Sequence, residues 1–133
     1  MRLWIASDAP DTDFTAKLLD VYPPSADYPN GFSKNLTEGL LRVRYRDSWE
    51  HPALMTPGEV YPIEIALFPI ANRFCRGHRL RLDISSSNFP HFDVNPNSGE
   101  PEGSWQYPRI ANNRVFVNAG RPSHIVLPVV PPG

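Results

Sequence analysis

Three stretches of the chain alternate apolar and charged residues with a period of two, and that pattern restricts the fold more than any other feature. In Gly39–Asp47, Leu41, Val43 and Tyr45 point one way and Arg42, Arg44 and Arg46 the other. In Glu59–Leu67, Tyr61, Ile63, Ile65 and Leu67 share a face. In His78–Ser86, Leu80, Leu82 and Ile84 stand opposite Arg79, Arg81 and Asp83. Successive side chains point to opposite faces of a β-strand, so each stretch reads as a half-buried strand. Arg2–Ser7, Arg114–Val117 and Ser123–Val130 read as further strands. So does Phe14–Tyr22, which is apolar on both faces at Leu18, Leu19 and Val21, as in a buried strand. Asp8–Asp13 reads as a turn and Pro23–Asn35 as a long surface loop; only Phe68–Phe74 could hold a helical turn. The 16 prolines and 8 glycines suit short strands joined by turns and oppose long helices. The expected class is all-β, an antiparallel sandwich or barrel.

A length of 133 residues fits one domain, spanning 1–133. A single cysteine excludes an internal disulfide and favours a reducing compartment. The net charge of −1 gives no steering toward nucleic acid or anionic membrane, and neither is expected as a partner. Lys17 and Lys34 are the only lysines among 13 basic residues, so the rest are arginines, which suit fixed pairing with carboxylates. No apolar run approaches the roughly 20 residues of a membrane span, and Leu3–Ala6 is too short for a signal-peptide core. The expected location is the cytoplasm.

The residues that could carry chemistry each have a plainer reading. A Gly-x-Ser-x-Gly elbow does not occur. Ser85, Ser86 and Ser87 lie near Asp83 and His78 in sequence, but a triad is made by geometry, and on a strand His78 falls on the face opposite Asp83 and Ser85. Asp93–Gly99 offers alternate oxygen ligands like a calcium loop, yet Gly99 stands one place late and Ser104 occupies the position that needs Glu. Asp8, Asp11 and Asp13 could ligate a cation or, more plainly, cap turn amides. Cys75 and His78 have zinc-like spacing without a second pair. No metal or cofactor is expected. Arg42, Arg44, Arg46, Arg79 and Arg81 could present a basic face, or pair across strands with Glu64, Asp83 and neighbouring carboxylates. Trp4, Trp49, Trp105 and Tyr107 could stack on a sugar ring, as in carbohydrate-binding sandwiches, or fill a core. Asn88–Asp93, with two aromatics and a proline in a loop after a strand, is either a packing wedge or a binding element.

Four stretches, in order, resemble the C-terminal domain of the CocE/NonD hydrolases, the group of cocaine esterase-like enzymes, and of the related Xaa-Pro dipeptidyl-peptidases. They are DTDFTAKLLDV at 11–21, GLLRVRYR at 39–46, GHRLRLDISSSNFP at 77–90 with NPNSG at 95–99, and PSHIVLP at 122–128. The resemblance covers nearly the whole chain. It implies a jelly-roll, galactose-binding-like β-sandwich that partners an α/β-hydrolase domain, packs against it and helps to shape the acyl-substrate site. The catalytic triad of such enzymes lies upstream of the matched region, so no catalytic residue carries over. The resemblance also implies further strands ahead of Arg2–Ser7. The sandwich is therefore expected to be short of its first strands, and to be a fragment, pair with a catalytic chain, or self-associate over the gap. Asn88, Phe89, Pro90, His91 and Phe92, with Trp105, are the expected surface toward the catalytic domain. The alternative is a free-standing carbohydrate-binding module on the same fold.

Overall fold

The computed structural model describes residues 1–130. Its strands are β1 (Arg2–Ser7), β2 (Asp13–Tyr22), β3 (Phe32–Arg42), β4 (Tyr61–Glu64), β5 (Arg79–Ser85) and β6 (Asn113–Phe116). They form two three-stranded antiparallel sheets, in the orders β4-β1-β6 and β3-β2-β5. The architecture is an antiparallel β-sandwich. Its core comes from the inward positions of both sheets: Leu3 and Ile5 of β1, Phe14 and Ala16 of β2, Leu41, and Ile63 of β4, closed by Val43, Met55 and Ile65.

The hairpin of β2 and β3 carries a bulge where Leu18 pairs with Thr37 but Leu19 with Asn35, leaving Leu36 without an opposite residue. Such an extra residue bends the strand and increases its twist. Gly39 sits where the next segment crosses this hairpin. A Cβ there would collide with the Ala66 carbonyl, so only glycine allows the approach.

Several boundaries differ from the sequence reading, each for a definable reason. The alternation of Gly39–Asp47 is not one strand. β3 ends at Arg42 because its partner β2 begins at Asp13, opposite Arg42, and the ladder has nothing further to pair. Thr12 O then captures the Val43 amide at 2.9 Å, and Val43–Tyr45 turns into a 3-10 segment. Phe68–Phe74 holds no helical turn. β3 starts earlier than expected, at Phe32, which shortens the loop after Pro23. Ser123–Val130 forms no strand among the described residues. It makes one antiparallel bridge, His124 to Arg2, continuing the β6 side of β1, while Pro122 and Pro128 cannot donate to a ladder.

Candidate functional site

Asp11-Thr12-Asp13 leads into β2 and Arg42-Val43-Arg44 leads out of β3, and the antiparallel pairing of Asp13 with Arg42 brings the two charge pairs together. Arg42 grips Asp13 with both arms, Nε to Oδ1 at 3.0 Å and Nη2 to Oδ2 at 3.2 Å. Arg44 donates to Asp11 from Nε at 2.7 Å and from its backbone amide at 3.0 Å. Asp11, Asp13 and Arg44 are all buried. The fifth member is Asn95, also buried, whose Nδ2 donates to Asp11 at 2.9 Å and to Asp13 at 2.7 Å. Burial pushes the Asp13 carboxyl above its ordinary value, against the opposing hydrogen bonds from Arg42 and Asn95. The hydrogen bond to Asp13 in turn raises Arg42, which stays charged.

This buried cluster anchors a long loop. Arg42 Nη1 reaches Glu102 at 2.6 Å, Arg44 Nη1 reaches the Glu100 carbonyl at 2.9 Å, and Asn95 Oδ1 accepts the Asn97 amide at 2.8 Å. Glu100 gathers the rest of the loop by accepting from Ser98 Oγ at 2.7 Å, Ser104 Oγ at 2.8 Å and the Tyr107 amide at 3.1 Å. These bonds, the Ser98 hydroxyl first, hold its carboxyl below the ordinary value. Gly99 has φ +78°, the left-handed region that the turn needs and that disfavours a side chain. Asn112 pins the loop's far end, donating to Asp8 from its amide at 2.8 Å and from Nδ2 at 2.6 Å, which holds Asp8 below its ordinary value.

The loop is irregular but tied down throughout, and it presents aromatic rings to solvent. Phe89 is 71% exposed, Trp105 55% and Tyr107 73%. Phe89 and Trp105 both line a cleft of about 420 Å³, together with Arg42, Val94 and Glu102. Of the residues expected from sequence to face a catalytic domain, the structure therefore brings Phe89 and Trp105 together. Asn88, Pro90, His91 and Phe92 form the adjoining turn, closed by the His91 and Phe92 amides donating to Asn88 O at 2.9 and 3.2 Å. Within it His91 lies 3.7 Å from Glu38 of β3, and Phe92 is half-buried with its ring edge-on to His91.

The chain matches a protein-family model, the X-Pro dipeptidyl-peptidase C-terminal non-catalytic domain, over residues 1–126. It belongs to that family. Cocaine esterase of Rhodococcus sp. (strain MB1 Bresler) is 41% identical over 131 residues, 97% of this chain and 22% of the esterase. Among solved structures, an aminopeptidase from a marine sediment Thaumarchaeota archaeon superposes with a TM-score of 0.83 at 29% identity, over 90% of this chain and 20% of that one. An α-amino acid ester hydrolase does so with a TM-score of 0.82 at 30% identity, again over 90% and 20%. The chain thus spans about a fifth of the length of these relatives. As a member of the X-Pro dipeptidyl-peptidase C-terminal family it is a non-catalytic domain of CocE-like and X-Pro peptidase-like hydrolases.

The other sequence candidates fall into structural roles. His78 bonds Asp20 at 2.9 Å, at the opposite end of β5 from Ser85. Ser85, Ser86 and Ser87 accept from the Ser87 amide, Asn113 and the Phe89 amide respectively. The calcium-like run uses Asn95 as a donor to carboxylates, the reverse of a ligand. Among the described residues no group of three or more His, Cys, Asp or Glu is placed to hold a metal ion. Of the striped arginines, Arg42, Arg44, Arg46 and Arg81 pair with Asp13, Asp11, Asp47 and Asp83, the last along its own strand, while Glu64 takes Arg2. Trp4 is half-buried within β1, whereas Trp49 is exposed and stacked on Tyr45 at 5.8 Å. Sequence reasoning named Asp11 and Asp13 as cation ligands or turn caps and Asn95 as part of a calcium-like run; it missed that the three meet Arg42 and Arg44 in one buried cluster. The signal was present as Asp-x-Asp before one strand pattern and Arg-x-Arg at the end of the next.

Proposed function

We propose that the loop of residues 88–107 is the face by which this domain packs on the α/β-hydrolase catalytic domain of its parent enzyme and helps to shape the acyl-substrate site. One observation carries the reading. Three exposed aromatic rings stand on a segment without regular structure that is nevertheless fixed by a buried Asp11–Arg44 and Asp13–Arg42 cluster. Burying charged side chains to hold a loop carries a desolvation cost that only their mutual pairing offsets, and aromatic residues are common anchors of protein interfaces. The parent reaction, by analogy with the relatives, is acyl transfer to water at an ester, amide or Xaa-Pro peptide bond. The domain contributes a wall and leaves the nucleophile to its partner. The lone exposed Cys75 suits a reducing compartment, and we place the enzyme in the cytoplasm. The expected topology is the jelly-roll variant of the sandwich, galactose-binding-like.

The test is a two-part assay. The purified chain should not turn over p-nitrophenyl esters or take up a fluorophosphonate probe. In the full-length enzyme, Phe89→Ala and Trp105→Ala should change KM or substrate preference without removing probe labelling. Probe uptake by the isolated chain, or full-length variants with unaltered kinetics, would overturn the reading. A second reading, sugar binding, draws on the exposed Trp49–Tyr45 stack. A glycan array with no signal that depends on Trp49 removes it.

A further inference from the structure

The chain leaves β5 at Ser85, on one side of β2, and the turn that carries Phe89 meets β3 on the other side, through His91 and Glu38. Short bonds close that turn. The Phe89 amide donates to Ser87 Oγ at 3.3 Å and the His91 amide to Asn88 O at 2.9 Å. Bonds of this kind fix the shape of a turn and leave its place on the sheet open. Its place is set by Glu38.

A bulge equips Glu38 for this. Asn35 and Glu38 are three residues apart, and on a regular strand an odd separation puts side chains on opposite faces. The extra residue Leu36 brings them to the same side, and Asn35 Nδ2 donates to Glu38 Oε2 at 3.1 Å. Lys17, opposite Glu38 in the ladder, pairs with the same oxygen at 3.4 Å. The other oxygen, Oε1, stands 3.7 Å from His91 Nε2, and the Asn88 side chain also donates to the carboxylate. Burial works to raise the Glu38 carboxyl, but the bonds from Asn35 and Asn88 and the charge of Lys17 hold it below its ordinary value. Its side chain is only 17% exposed. Glu38 is thus a fixed, ionised acceptor, gripped from β2 and β3 on one oxygen and met by the turn on the other. Arg42 follows four residues on, on the same face of β3, and lines the cleft with Phe89.

We infer that Glu38 is a positioning residue for the docking face: it fixes the turn of residues 88–92 on the sheet, and through that turn the ring of Phe89. This rests on the docking role proposed for residues 88–107, and it gives a part in that role to a strand residue outside the loop.

Steady-state kinetics of the full-length enzyme test it through a double-mutant cycle with Phe89. Glu38→Ala removes the acceptor, and Glu38→Gln keeps its length while losing its charge. Both should shift KM and the preference between acyl groups in the direction that Phe89→Ala does. The alanine variant should shift them more, with kcat/KM lowered roughly threefold or more. In the Phe89→Ala background neither should change the kinetics further, because the ring through which Glu38 acts is gone. A residue that merely supported the sheet would act alike in both backgrounds. Circular dichroism confirms folding of each variant, and Glu38→Gln carries the test if Glu38→Ala does not fold. Phe89→Ala altering the kinetics while the Glu38 variants match the parent enzyme overturns the inference and leaves the docking role standing. An equal Glu38 effect with and without the Phe89 ring overturns it too. Kinetics unmoved by Phe89→Ala overturn it as well, and if Trp105→Ala is also silent the docking role falls with it.

Discussion

β2 and β5 are neighbours in one sheet, paired over seven residues, and they live in opposite environments. Along β2 Asp13–Ala16 and Leu18–Asp20 are buried, on both faces; along β5 no residue is. Yet β5 has the more regular alternation of apolar and charged residues. Alternation reports the period of the backbone, which both strands share. It does not report whether anything lies over the apolar row. That depends on how far the opposing sheet reaches, and the sheet of β1, β4 and β6 covers Phe14 and Ala16 without reaching Leu80 or Ile84. β2 also sinks charge as well as hydrocarbon, because Arg42, Arg44 and Asn95 meet Asp11 and Asp13 at its start.

The contrast can be broken most sharply at the charged end of β2. Asp11→Ala would leave Arg44 buried without its carboxylate, and should lower unfolding stability by about 3–5 kcal/mol, read as a fall in the urea midpoint. Phe14→Ala should cost a similar amount, about 3–5 kcal/mol, from the buried cavity it leaves. Asn95→Ala removes the two hydrogen bonds that its Nδ2 gives the aspartates, leaving those from Arg42 and Arg44, and should cost about 1–3 kcal/mol, with the loop of Phe89 and Trp105 loosening first. Ile84→Ala, on the same face as Phe14 one strand away, should cost about 1 kcal/mol or less in this chain. Equal losses at Phe14 and Ile84 would mean that β5 is covered after all.

The smallest effect concerns acid. Glu100 and Asp8 both sit below their ordinary values of 4.5 and 3.8 in the folded chain, through the Ser98 hydroxyl and Asn112 respectively. A carboxylate depressed in this way stabilises the fold fully above its unfolded value and loses that contribution as pH falls through the folded one. Trp105 fluorescence should therefore be flat near neutrality and begin to change below about pH 4.5, before the sheet unfolds. A Trp105 signal that changes only together with β-sheet circular dichroism would contradict this.

What the sequence made legible follows the same line. β1, β2 and β5 stand within a residue of where composition and alternation put them, because ladder pairing and apolar period agree there. Tyr45 and Arg46 carried the pattern past the end of β3, and only the length of β2 could show that the ladder stops at Arg42. Phe89 and Trp105 were readable as exposed loop aromatics. That both line one cleft was not, since the intervening residues are positioned by Asn95 and Glu100, and the Asn95 bonds run to a distant part of the chain. Asp11 was read as a turn cap and does accept the Arg44 amide, but its partner is 33 residues away. Short-range chemistry gave its hydrogen-bonding role and hid its reach.

Hydrogen–deuterium exchange of this chain, alone and in the presence of the catalytic portion of a cocaine esterase-like hydrolase, tests the docking role most directly. The account predicts slowed exchange across residues 88–107 on complex formation, with the segment around Phe89 and Trp105 changing most, while β1 and β2 are slow in both states. Protection confined to other surfaces, with residues 88–107 exchanging as in the free chain, would contradict it.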